Sequence, residues 1–174
     1  MQAKDMSINI EKATEKDMPG TMELIRETTR RLMQDGNNQW GDDYPTADIF
    51  EDDVRKGFLF VARVEGEIAG IISLSDEIED EHRHIKWLSG NCKALYPHRL
   101  AVRPKSQGKG VARALMDYSE KYGRDKGFGV IRFDVYSVNT QAIQIYEDRG
   151  CKRCEGEVYY PGREHAFYCY EKKL

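Results

Sequence analysis

The sequence is poor in the features that would send a chain into a membrane or onto nucleic acid. None of its 174 residues falls in a window approaching the roughly 18 to 20 apolar residues that a spanning helix needs. Met1 to Met6 carry charges and no apolar stretch, so this segment does not read as a secretory signal. Basic residues are not in excess: 27 Lys and Arg stand against 30 Asp and Glu, a formal net charge of -3. A nucleic-acid binder usually shows a concentrated basic face, and this balance gives that class no support. The expectation is a cytoplasmic chain with neither a membrane nor a nucleic acid as partner. Cysteine is scarce too. Cys151 and Cys154 have CxxC spacing, but no second CxxC follows and no His stands at finger spacing. In an extended segment their side chains point to opposite faces, so they read as ordinary reduced thiols, like Cys92 and Cys169. His82 and His84 lie in a charged stretch without a partner set, and no metal site is expected.

What is present is the mixture of one globular domain, 1–174, with 40% hydrophobic and 33% charged residues. Ile8 and Ile10 alternate with polar residues as in a short strand. Thr14 and Asp17 have capping-box spacing before a helical stripe through Met22, Ile25 and Leu32. A loop over 35–45 carries Trp40 and Tyr44, and a second helix over 46–56 ends at Gly57. Residues 58–64 and 68–74 form a hairpin about Glu65-Gly66-Glu67. The charge-dense stretch 76–86 reads as a solvated loop or irregular helix, or alternatively as a lid facing a substrate. A strand over 93–102 contains Pro97, which cannot donate to a ladder and predicts a bulge near that point. A helix over 108–126, a strand over 130–135 and a helix over 139–148 closed by Gly150 follow. Strands over 153–159 and 165–171 flank a Tyr160-Pro161-Gly162-Arg163 turn. The order predicts an α/β domain with helices packed on a mixed sheet.

The stretch Leu100-Ala101-Val102-Arg103-Pro104-Lys105-Ser106-Gln107-Gly108-Lys109-Gly110-Val111-Ala112 joins a buried strand to a helix through glycines. Glycines there let the backbone bend and a ligand approach, and the first free N–H groups of a helix suit a phosphate. Lys105, Lys109 and Arg113 add positive charge. The spacing is neither GxGxxG nor a Walker A loop, so physics alone leaves two readings, a phosphate cradle or a tight helix-start turn. The stretch nevertheless resembles the acetyl-CoA motif (Q/R)-x-x-G-x-(G/A) of the GNAT family of N-acetyltransferases, at Gln107, Gly110 and Ala112. A second match follows: Asn139, Ala142, Tyr146 and Gly150 stand at the family's spacing.

The resemblance implies the GNAT fold, in which two central parallel strands splay apart and the cofactor enters between them. It implies that the backbone of Gln107, Gly108, Lys109, Gly110, Val111, Ala112 and Arg113 grips the pyrophosphate of acetyl-CoA, the acetyl donor. Leu100, Ala101 and Val102 would pair with the pantetheine arm and polarise the thioester. Asn139 caps a helix or bonds the cofactor's amide arm. Tyr146 lies two turns further on the same face and would donate a proton to the leaving thiolate; taken alone it reads as a packed core aromatic.

An ammonium must lose a proton before it can attack. The carboxylate base of histone-directed relatives falls here on Tyr96, so that base is missing. The histidine of arylalkylamine-directed relatives falls on His98, the candidate base, beside a merely structural or polar-lining reading, and Glu77 and Glu81 in the charged loop are looser candidates for the same role. The family's acceptor site implies Trp40, Tyr44, Glu77, Glu81 and Tyr159 as substrate-facing residues, with Tyr160 next to them. An aromatic and acidic wall suits an amine cation. The expected partner is a small-molecule amine rather than a protein, and a homodimer is possible. Cys92 and Cys151 lack a motif-based His, which disfavours an acyl-cysteine route. A domain that retains acetyl-CoA as a sensed ligand without transferring the acetyl group is the alternative.

Overall fold

A computed structural model describes residues 7–174; the segment Met1 to Met6, read above for a signal, lies outside the described residues. The chain runs β1 (Ile8–Lys12), α1 (Met18–Gln34), α2 (Ala47–Lys56), β2 (Leu59–Val64), β3 (Glu67–Ser75), β4 (Ala94–Val102), α3 (Val111–Asp125), β5 (Val130–Tyr136), α4 (Thr140–Asp148), β6 (Lys152–Val158) and β7 (Phe167–Lys173). Local chemistry sets the boundaries. Thr14 and Asp17 form the capping box, with the Thr14 N–H donating to Asp17 at 2.8 Å, and Pro19 is accommodated at the start of α1. Gly57 takes the left-handed conformation that closes α2, at φ 73°.

Seven strands form one sheet in the order β1-β2-β3-β4-β5-β7-β6. Only β4 and β5 run parallel, and every other adjacent pair is antiparallel. The apolar alternation of β2 and β3 feeds both faces. On one, Leu24, Ile25 and Phe50 from α1 and α2 pack on Leu59, Val61 and Ile71. On the other, Val111 and Leu115 of α3 pack on Phe60, Ile72, Leu95 and Ile131. The helix α4 covers Phe133 and Val135.

The parallel pair is joined only through Ala94 opposite Val130 and Leu95 opposite Ile131. Beyond these residues β4 and β5 part, as the resemblance implies. The bulge falls two residues past its expected position. Pro97 pairs opposite Leu74, whereas Arg99 and Leu100 together face Ile72 between the pairs Ser73–His98 and Ile71–Ala101. Arg99 carries the strain, at φ 53°. Pro97 is tolerated because β4 has already lost its second neighbour there, an edge-like position. The helix α3 also starts later than expected, because Gly108 and Gly110 adopt φ 74° and 83° and belong to the loop.

Candidate active site

The gap between β4 and β5 opens into a cleft of about 1310 Å³ that runs through the sheet. Leu100 and Val102 line it from β4, Phe133 and Val135 from β5, and Ala112, Asn139 and Tyr146 from the helices on either side. At its α3 end, the Ala114 N–H closes onto the Gly110 carbonyl at 2.9 Å. The amides ahead of that bond have no helical acceptor and point out of the helix start. A Cβ placed on Gly108 or Gly110 would meet nothing within 4 Å, so the space beside these two glycines is open. Lys109 and Arg113 are exposed beside it, and Val111 anchors the turn by burying its side chain. Gln107 folds back, its Nε2 donating to the Val102 carbonyl at 3.4 Å, which ties the loop to the end of β4. Free donors, a helix N-terminus and flanking cations fit a pyrophosphate.

On the other wall Asn139 caps α4, its side-chain oxygen accepting from the Ala142 N–H at 3.2 Å. Tyr146 stands against Phe133 with ring centroids 4.5 Å apart. Burial pushes its phenol up to about 12. Cys151 also lines the cleft, and burial pushes its thiol up to about 11, so it stays protonated and inert.

The acceptor end is a layered set of charged groups. Asp134 projects from β5 and accepts hydrogen bonds at 2.7 Å from both His82 Nε2 and the Tyr160 hydroxyl. The same hydroxyl lies 3.2 Å from Glu79. His98 stacks on His82 with centroids 6.4 Å apart, and its Nδ1 is 3.8 Å from Glu79. Arg99 turns inward at the bulge, pairs with Asp53 and approaches the Tyr44 hydroxyl at 3.4 Å.

Burial disfavours each charge here, and partners decide the outcome. Burial opposes a charged Asp134, but His82 and Tyr160 outweigh it and hold the carboxyl below its ordinary range. Burial likewise opposes a charged His82, but the hydrogen bond and charge of Asp134 raise its pKa. Glu79 is raised, chiefly by burial. His98 falls to about 4, through burial and then the charge of Arg99, so it is neutral at pH 7.

The residues expected from sequence separate here. Leu100, Val102, Ala112, Asn139, Tyr146, His98, Trp40, Tyr44, Glu77 and Glu81 all line the cleft. Trp40 also belongs to the core under α1 and α2. Glu77 is exposed and held by Lys56 at 2.8 Å. Tyr159 differs from its expected position: it is 68% exposed, bonds Glu157 at 2.9 Å and lies outside the cleft lining. Consecutive residues leaving a strand face opposite ways, and Tyr160 takes the inward direction. Stretch 76–86 is loop with a single helical turn at Asp80–His82, and it departs from a purely solvated segment in burying His82 completely. Glu79, His82, Asp134 and Arg99 were not singled out from sequence as catalytic groups. Asp134 had a visible signal, a carboxylate inside the apolar run from Val130 to Val135. His82 had none, since its partner is 52 residues away.

Known proteins share this fold. A Streptococcus agalactiae acetyltransferase of the GNAT family superposes with a TM-score of 0.81 at 24% identity, covering 96% of this chain and 95% of that one. The PaiA N-acetyltransferase of Thermoplasma acidophilum, solved in complex with coenzyme A, superposes with a TM-score of 0.71 at 18% identity, covering 97% of this chain and all (100%) of the other. An uncharacterized N-acetyltransferase of Lactobacillus delbrueckii subsp. lactis is 24% identical over 163 residues, 89% of this chain and 90% of its own. Residues 22–151 match the family model described as Acetyltransferase (GNAT) family, which spans most of the chain, and the protein belongs to that family.

Proposed function

We propose that this acetyltransferase takes its acetyl group from acetyl-CoA and passes it directly to the primary amine of a small molecule. One observation carries the reading: the open start of α3 stands next to Ala112, where the helix meets a cleft whose other end holds His98, Glu79 and Asp134. A phosphate-bearing donor and a cationic acceptor would therefore meet between β4 and β5.

Gly108 to Arg113 would hold the pyrophosphate through backbone N–H groups, and Lys109 and Arg113 would add charge at the rim. The unpaired edge of β4 from Leu100 to Val102 would hold the pantetheine arm as an added strand and direct amides at the thioester carbonyl. Acetyl-CoA supplies an activated acyl carbon that a neutral amine attacks. Tyr146 retains its proton at neutral pH and delivers it from Oη to the departing sulfur. No cysteine is needed, and Cys151 is held as the thiol. Tyr44, Trp40 and the rim carboxylates Glu77 and Glu81 would receive the acceptor.

The test is thiol release from acetyl-CoA against a panel of diamines, aminoglycosides, free amino acids and an N-terminal peptide. Amine-dependent release, greatest with small-molecule amines, is expected. Binding of acetyl-CoA without release to any amine would replace the transfer reading with a sensing one.

A further inference from the structure

We infer that Glu79 is the group that receives the acceptor's proton, and that Asp134, His82 and Tyr160 position it. This rests on the transfer reading above. Among the carboxylates at the acceptor end, four are already held. Asp53 is paired with Arg99, Asp43 with Arg163, Glu77 with Lys56, and Asp134 with His82. Asp48, Glu51 and Glu81 are exposed at the mouth, where water solvates them. Glu79 is the partly buried carboxylate of the cleft with no Lys or Arg within ion-pair reach among the described residues. Its side chain remains 37% exposed, so a substrate can reach it.

Its surroundings leave a lone pair free. Tyr160 has one hydroxyl proton, and Asp134, at 2.7 Å against 3.2 Å, is the nearer acceptor. His82 Nε2 donates to the same Asp134 oxygen. Asp134 therefore collects two donors at 2.7 Å and keeps its charge, while Glu79 stands beside that charge with only the longer, shared contact to the Tyr160 hydroxyl at 3.2 Å. The groups facing Glu79 are His82 from its own segment, His98 and Arg99 from β4, Asp134 from β5, Tyr160 from the final hairpin and Tyr44 from the loop before α2. Burial and the neighbouring Asp134 raise its proton affinity, and His82, Arg99 and Tyr160 offset only part of that. His98, at about 4, is the weaker acceptor and forms a neutral wall.

Glu79 takes one proton from the ammonium and leaves a neutral amine. The nitrogen–carbon bond forms as the carbon–sulfur bond breaks, and Tyr146 protonates the sulfur. The second proton of the nitrogen restores the phenol through solvent, and Glu79 returns its proton to bulk water. The overall reaction releases one proton.

Glu79→Gln keeps the shape and removes the acceptor. In the best amine of the panel, kcat/KM at pH 7 should fall about 100-fold or more, with acetyl-CoA affinity unchanged. The loss should shrink as pH rises toward the amine's own pKa, where solution supplies the free base. Glu79→Asp should recover part of the rate. Unchanged kcat/KM in Glu79→Gln overturns the assignment, and so does an equal loss at every pH, which is what a structural role would give. A rate loss found instead in His98→Asn, with Glu79→Gln indifferent, returns the role to His98. A wild-type protein that releases no thiol with any amine sinks the transfer reading itself, a different failure from wild-type turnover with an indifferent Glu79→Gln.

Discussion

At the scale of single residues, the proposed mechanism turns on where protons sit. Tyr146 is half-buried against Phe133 on the cleft wall, and a phenol pushed up to about 12 holds its proton across the working range. A thiolate is a good leaving group, so the help it needs is modest. Tyr146→Phe should lower kcat by about 100-fold, the low end of what a positioned acid supplies, and leave the affinity for coenzyme A intact. Single-turnover kinetics beside a binding titration checks this, and equal loss of both would make Tyr146 a packing residue only. The His82–Asp134 pair adds a pH signature. His82 binds its proton more tightly folded than the ordinary 6.5, so its contribution to stability is complete below that pH and fades as pH rises through the elevated value. Asp134 binds its proton less tightly than the ordinary 3.8, so its contribution is complete above that pH and fades as pH falls through the depressed value. The Tm difference between wild type and His82→Gln should therefore be greatest between pH 3.8 and 6.5 and narrow on the alkaline side. A difference that is flat with pH would mean that the pair does not titrate as described.

At the scale of elements, the cradle depends on how closely α3 approaches the sheet. Gly70 of β3 permits that approach: a Cβ there would stand 2.8 Å from Val111 Cγ1, 2.9 Å from Leu115 Cδ1 and 3.1 Å from the Ala101 carbonyl. The carbonyl belongs to the β4 backbone and cannot turn aside. Gly70→Ala should cost about 1 to 3 kcal/mol as overpacking, read as a lower urea midpoint. It should also weaken acetyl-CoA binding, since Val111 opens the helix whose amides form the cradle. An unchanged midpoint would show that α3 shifts freely. Such contacts are invisible in sequence, whereas the elements themselves were largely legible there. Alternation marked β2 and β3, the helical stripe marked α3, and Gly57 and Gly150 marked where helices stop. The glycine loop ahead of α3 and the place of Tyr146 on the cleft wall were legible because their spacing is local. The acceptor floor was not, because it is assembled from distant segments. Charge density in 76–86 says solvent until Asp134 is known to stand opposite His82. Of the adjacent Tyr159 and Tyr160 past the end of β6, only Tyr160 faces the cleft, a choice that composition does not decide. The bulge at Arg99 rather than Pro97 depends on register with β3, again a property of two strands together.

At the scale of the whole molecule, the sheet is two sub-sheets joined by a short seam. The strands β1 to β4 form one and β5 to β7 the other, and the parallel seam holds only the Ala94–Val130 and Leu95–Ile131 pairs. Past the seam, backbone groups of β4 and β5 face the cleft instead of each other. A ligand seated there replaces missing ladder contacts on the β4 side and packs on α3 and α4 at once, so it should couple the two halves. Stabilisation by a ligand that binds only the folded chain follows from its concentration over Kd, about 2.7 kcal/mol at a hundredfold excess. A chain of this size gains about 2 to 4 °C in Tm per kcal/mol. Acetyl-CoA at that excess should therefore raise Tm by about 5 to 10 °C. The parts of the ligand separate the two contributions. Inorganic pyrophosphate engages only the α3 amides and leaves the gap open, so it should raise Tm by less at matched saturation in a single transition. Pantetheine lacks the phosphates and should bind much more weakly, because nothing fixes it at the cradle. Differential scanning calorimetry with the three ligands decides the matter. Equal shifts from pantetheine and acetyl-CoA at the same concentration would place the binding energy in the gap and remove the cradle from its anchoring role.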